Sequence, residues 1–174
     1  MMQSACRQSA DFHESLDPFA QAAFNVSWAG ESQSLNWFDT ARELTERWHH
    51  QQQIREATNT PGIMTPELYH PALDCFVRGL PHAFRAVEAP PGTTIQLDIS
   101  GDCGGTWLLT RSTSSWSFTQ SRKTEPKARV TIPQQIAWRI FTKGIAREDA
   151  IALSILEGDR ILAERVFHLI AIVG

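Results

Sequence analysis

The sequence has no apolar run near the roughly 20 residues that a membrane-spanning helix needs. Its longest candidate, close to the C-terminus, is short and broken by His168. The opening stretch MMQSACRQSADFHE lacks the apolar core of a secretion signal. Cysteine is scarce. Cys6, Cys75 and Cys103 are odd in number and far apart, with no C-x-x-C pair. That argues against a disulfide frame or a zinc knuckle and predicts reduced thiols in a cytoplasmic protein. An excess of basic charge is missing too: the net charge is -3 and the pI about 6.1. Neither nucleic acid nor a membrane is therefore expected as a partner. The one local basic run, Arg122-Lys123 with Lys127, reads as a solvated loop. Repeats and low-complexity tracts are absent.

What is present is an ordinary globular composition, 42% hydrophobic and 20% charged over 174 residues. That length builds one good core, or one domain with an appendage. Residues 1–16 read as a short polar helix and residues 19–36 as a loop turning at Trp28-Ala29-Gly30. Asn36 is the expected N-cap of a helix from about Trp37 to Thr58, which ends before Pro61-Gly62. A second helix is expected from Thr65 to about Ala86, with Pro66 in its first turn. The period then falls from 3.6 to 2. Ile95, Leu97 and Ile99, then Trp107 and Leu109, Trp116 and Phe118, Val130 and Ile132 predict a meander of about four strands, antiparallel. A helix from Pro133 to Lys143 follows, stopped by Gly144. A helical turn, Ala146 to Asp149, leads into an apolar strand, Ile151 to Leu156. Asp159 is expected to cap a last helix with Ile161, Leu162, Val166, Leu169 and Ile170 on its apolar side. The division predicted is a helical part, residues 1–60, and an α+β domain, residues 62–174.

The stretch TERWHHQQQIR carries the chemistry. On a helical wheel Trp37, Ala41, Leu44 and Trp48 form a narrow stripe, the expected packing face. Glu46, His50 and Gln53 fall opposite, and His49 is expected to point at least a quarter-turn away from His50. Glu46 and His50 are spaced i, i+4, which places a carboxylate and an imidazole about 5–6 Å apart at Cβ. One helix can supply two ligands to a divalent metal in this way, and the ligand types suit zinc. The same spacing is also what an exposed polar face with a weak helical pair would show. A catalytic zinc normally has a third protein ligand. His13, His70, His82 and His168 have no evident claim to that place.

Residues Trp37 to Glu43 and Thr45 to Arg55 resemble the last bundle helix of the mycothiol-dependent maleylpyruvate isomerase family, a branch of the DinB-like metal-binding helical bundles. Gly104-Gly105-Thr106-Trp107, the helix end Ala137 to Gly144 and the Glu157-Gly158-Asp159 turn look like that family's second domain, which is similar to sterol carrier proteins. The resemblance runs from roughly Phe24 to the C-terminus. It implies a partial DinB-like bundle followed by a sterol-carrier-like α/β sandwich with a mainly antiparallel sheet. It also implies Glu46 and His50 as metal ligands, with zinc the expected ion. Family members would hold a low-molecular-weight thiol such as mycothiol on that ion as thiolate and add it to a small-molecule electrophile, giving an isomerase or a transferase. Arg55, Arg139 and Arg160 are available to clamp a substrate carboxylate. The sequence departs from the family where two earlier bundle helices and a third ligand, a histidine, would stand. A chain shortened in this way is expected to cover the exposed side of its helix with a second copy, as a homodimer. The competing expectation is a non-catalytic sterol-carrier-like module that binds an apolar ligand or a partner protein, with Trp107, Trp116 and Trp138 as pocket or core residues.

Overall fold

The computed structural model describes residues 2–120 and 125–172; Arg122 and Lys123 of the basic run lie outside them. Seven helices, α1 Met2–Ser15, α2 Asn36–Ala57, α3 Pro66–Val77, α4 Leu80–Ala83, α5 Gln134–Phe141, α6 Arg147–Ala152 and α7 Arg160–Arg165, accompany one sheet. Its strands are β1 Thr94–Ser100, β2 Gly105–Arg111, β3 Trp116–Thr119, β4 Ala128–Pro133 and β5 Ile155–Gly158. The fold is α+β, as the change of period predicts. No helix among the described residues is long and apolar enough to cross a membrane.

The sheet is mixed rather than a simple meander. Strands β1 to β3 form one by antiparallel pairing, but β4 returns to the other side of β1 and pairs with it in parallel. Strand β5 then pairs antiparallel with β4, giving the order β3-β2-β1-β4-β5. Alternation sets what each face meets. Ile95, Leu97, Ile99, Leu109, Trp116, Val130 and Ile132 point into the core. The opposite face carries Gln96, Asp98, Thr106 and Thr110 and is linked by their own bonds, including Thr106 Oγ1 donating to Asp98 at 2.6 Å.

Several local expectations are revised. Leu35, not Asn36, is the N-cap of α2; Asn36 opens the helix, and its side chain donates to the Asp17 carbonyl at 2.9 Å. The expected Thr65–Ala86 helix breaks at Arg78-Gly79 into α3 and α4. Gly79 sits in close contact there: a Cβ would lie 2.6 Å from Leu169 Cδ1, which would have to shift. The run Ile151 to Leu156 is not one strand, because α6 continues to Ala152, with Glu148 and Asp149 in its favoured first turn. Only Ile155 onward is extended. Asp159 caps α7 as expected, accepting from the Leu162 amide at 3.1 Å. Helix α7 stops at Arg165 and gives way to a 3₁₀ turn, Val166–His168. That turn buries Leu162, Val166 and Leu169 but leaves Ile161 84% exposed.

The helices are locked by one aromatic cluster. Tyr69 of α3 is fully buried and stacks on Trp48 of α2, ring centroids 4.3 Å apart and nearly coplanar in orientation. Trp138 of α5 meets Trp48 edge-on at 6.0 Å. The Tyr69 hydroxyl donates to the Gln134 carbonyl at 2.6 Å and accepts from the Trp138 amide at 3.2 Å. Burial holds its pKa far above the ordinary phenol range. Tyr69→Phe should therefore remove the one hydroxyl that ties α3 to the first turn of α5. We expect a loss of about 1–3 kcal/mol, read as a lower urea midpoint with an unchanged m-value; an unaltered midpoint would refute this role.

Candidate functional site

Helix α2 turns a different face inward from the one its apolar stripe predicts. Phe38, Thr45, Trp48, His49 and Gln52 are buried, whereas Trp37, Ala41 and Leu44 are half-buried. The polar members of this face are accepted because the backbone satisfies them. Thr45 Oγ1 donates to the Arg42 carbonyl at 2.7 Å, and Gln52 Oε1 accepts from the Ile63 amide at 2.8 Å. A hydropathy wheel scores such residues as outward-facing and so places the face wrongly.

His49 is the exception. It is 4% exposed, and neither ring nitrogen has a hydrogen-bond partner. Desolvation, followed by the neighbouring His50, lowers its pKa and keeps the ring neutral. Its ring stacks on His50, centroids 5.2 Å apart and 25° between planes, and lies 5.8 Å from Trp138. The expectation that His49 points away from His50 is thus corrected: both side chains swing toward Glu46. One ligand atom from each of Glu46, His49 and His50 lies within 4.8 Å of the others.

This donor set fits a divalent metal. Zinc takes imidazole nitrogen and carboxylate oxygen at about 2.0–2.2 Å, so tetrahedral donors stand about 3.3–3.6 Å apart. His50 Nε2 and Glu46 Oε2 are already 3.6 Å apart. His50 Nδ1 lies 2.9 Å from Gln53 Oε1, which accepts only if Nδ1 carries the proton. That leaves the Nε2 lone pair facing Glu46, the tautomer a ligand needs. The buried, unpartnered His49 offers a third nitrogen within 4.8 Å of the other two donors. The His50 side chain is 64% exposed, so this side of the cluster is open to solvent. Sequence spacing misses His49 because adjacent residues diverge by 100° on a wheel; an apolar surrounding for one histidine of the pair is the signal that could find it.

The other candidates are dispersed. His13 lies 3.2 Å from Thr40 Oγ1, and His70 lies 3.1 Å from the Cys103 and Gly104 carbonyls. Arg55 donates to the Pro61 carbonyl, and Arg160 pairs with Glu164 at 2.7 Å. Arg139 lies 3.5 Å from Glu56 and shares a cavity of about 220 Å³ with Gln52 and Trp138. It follows Trp138, whose ring lies 5.8 Å from that of His49. Of the tryptophans, Trp116 and Trp138 are core residues, both 4% exposed.

Trp107 is only half-buried and borders a groove of about 580 Å³. Its indole Nε1 donates to Asp74 Oδ1 at 2.9 Å, and Arg78 holds the other Asp74 oxygen at 2.9 Å. Arg78 also lies over the Trp37 ring, 4.9 Å from its centroid. Phe118 and Leu108 continue the apolar wall, and Thr106, Thr119 and Gln120 complete the rim. Of the three thiols, Cys75 and Cys103 are buried; burial pushes Cys75 up to about 12 and raises Cys103 as well. Neither supplies a thiolate at neutral pH.

No family model and no curated protein matches the chain. Two solved structures are similar in part. Sterol Carrier Protein 2 Like 2 from Aedes aegypti has 19% identity over 56% of this chain and 95% of that one, with a TM-score of 0.41. A UbiJ-SCP2 ubiquinone synthesis protein has 11% identity over 53% of this chain and 89% of that one, with a TM-score of 0.34.

His49→Leu should remove two unsatisfied buried nitrogens at similar volume. In chelator we expect the variant to be more stable by about 1–3 kcal/mol in urea. Destabilisation would mean that the imidazole has a structural bond in the apoprotein.

Proposed function

We propose that the chain is a small-molecule binding module of sterol-carrier-like design, and not by itself a complete enzyme. The observation that carries this reading is the groove beside Trp107. Its volume lies in the range of sites that hold small ligands. The aromatic side chains of Trp107 and Phe118 offer an apolar wall, and Phe118 is 37% exposed although it lies on the strand beside the core residue Leu109. The Asp74–Arg78–Trp107 network fixes the polar end, so the site needs little reorganisation on binding. The ligand class is a molecule with an apolar body and one polar end. Binding is tested with dodecanoate by calorimetry on the full chain. Phe118→Asp, at a half-open position, should weaken it about tenfold or more. Absence of saturable binding to the wild type, or equal binding to the variant, would overturn the reading.

A second reading rests on the orphaned His49. Glu46, His49 and His50 would hold one divalent cation at the edge of the buried face of α2, beside the exposed His50, leaving a position open. A metal there would keep a coordinated thiol deprotonated at neutral pH. The chain's own part would be to present the three donors, orient His50 through Gln53, and place Arg139 where a substrate carboxylate could be held. Elemental analysis after zinc loading should find one equivalent in the wild type and none in His50→Ala, whose exposed position spares the fold. Zinc retained by His50→Ala would sink this reading. The homodimer belongs to the same proposal. It would cover the outward side of α2, while α3 and α5 of the same chain cover its aromatic side.

A further inference from the structure

A third cavity, of about 350 Å³, shares no lining residue with the groove or with the Glu46–His49–His50 cluster. It is bordered by His82, Arg85, Arg165 and His168, with Leu169, Ile170 and Ile172 as apolar wall. No acidic residue lines it, although the chain is acidic overall. Neither Arg85 nor Arg165 has a carboxylate partner among the described residues. Arg85 donates to the His82 carbonyl at 2.8 Å; Arg165 donates to the Ala83 carbonyl at 2.8 Å and lies 3.4 Å from His168 Nδ1. These bonds hold both guanidinium groups in place and leave further N–H groups free on each. Gly79 borders the cavity, and Gly30 packs against its wall residue His82. A Cβ at Gly30 would come 2.2 Å from His82 Nδ1, and one at Gly79 would strike Leu169 and Trp28.

Cations gathered without acids repel one another, an arrangement that an anion relieves. We propose that this cavity binds a small tetrahedral oxyanion, a phosphate or sulfate monoester, that carries an apolar group. Paired guanidinium groups match such oxygens in geometry and charge. Leu169, Ile170 and Ile172 take the apolar substituent. The groups facing the histidines are all cationic: Arg85 acts on His82, and Arg147 and Arg165 act on His168. Desolvation, with these neighbours, lowers both imidazole pKa values, so both rings are neutral near pH 7. A bound anion favours their charged forms, so binding takes up protons and strengthens as pH falls.

The test is calorimetric titration of the full chain with phenyl phosphate, inorganic phosphate and phenyl sulfate. Phenyl phosphate should bind saturably at one site, and Arg85→Gln, an exposed change that keeps the fold, should weaken it about tenfold. Phe118→Asp should leave it unaltered, which separates this site from the groove. Phenyl sulfate, whose charge does not change between pH 8 and pH 6, should bind more tightly at pH 6. Inorganic phosphate should bind more weakly than its phenyl ester. No saturable binding, or equal affinity in Arg85→Gln, would overturn the proposal, as would phenyl sulfate affinity that is flat or falling toward pH 6.

Discussion

The buried hydroxyl of Tyr69 is the interaction on which the arrangement of helices depends. It bonds to two backbone groups at the start and middle of α5, while its ring carries Trp48 of α2. Three helices separated widely in sequence thus meet on one side chain. Displacing that ring would release α2 from α5, and with it the contact between His49 and Trp138. The groove beside Trp107 depends on the same helix by another route, because Asp74 lies on α3 beyond Tyr69 and Arg78 is that helix's C-cap. Both candidate ligand sites therefore inherit their geometry from the seating of α3.

Much of this was legible in the residues. The fall in period from 3.6 to 2 after Val87 marks the change from helices to sheet, and alternation picks out the core face of β1 and β4 correctly. Pairing direction was not legible. Nothing in the alternation of Val130 and Ile132 distinguishes a fourth meander strand from one that crosses over to lie parallel beside β1. The boundary near Ile151 failed because a short apolar run suits a helix end as well as a strand. There the acidic first turn of α6 decided the outcome.

The site residues divide in the same way. Glu46 and His50 follow from i, i+4 spacing, and the structure does bring them together. His49 is hidden from such reasoning because its burial depends on Trp138, some 90 residues on, and because Thr45 and Gln52 form part of the buried face by bonding to the backbone. The groove and the cationic cavity arise from residues scattered over several elements. Their component residues are unremarkable singly; Arg85 and Arg165 come to one cavity only because Arg85 bonds the His82 carbonyl and Arg165 the neighbouring Ala83 carbonyl.

The parallel pairing of β4 with β1 has a consequence for how the chain reaches this state. The hairpins β1–β2 and β2–β3 close over short loops, at small entropic cost. The partner of β1's other edge lies beyond β3, so Ile95 must wait for Ala128 while the intervening strands fold. Until that crossover closes, the central strand of the sheet has one unpaired edge. Strand β5 pairs with β4 alone, so its place in the sheet is set through β4. The centre of the sheet is thus the one place where its contacts span the most chain, and closing it carries the larger loop-closure cost.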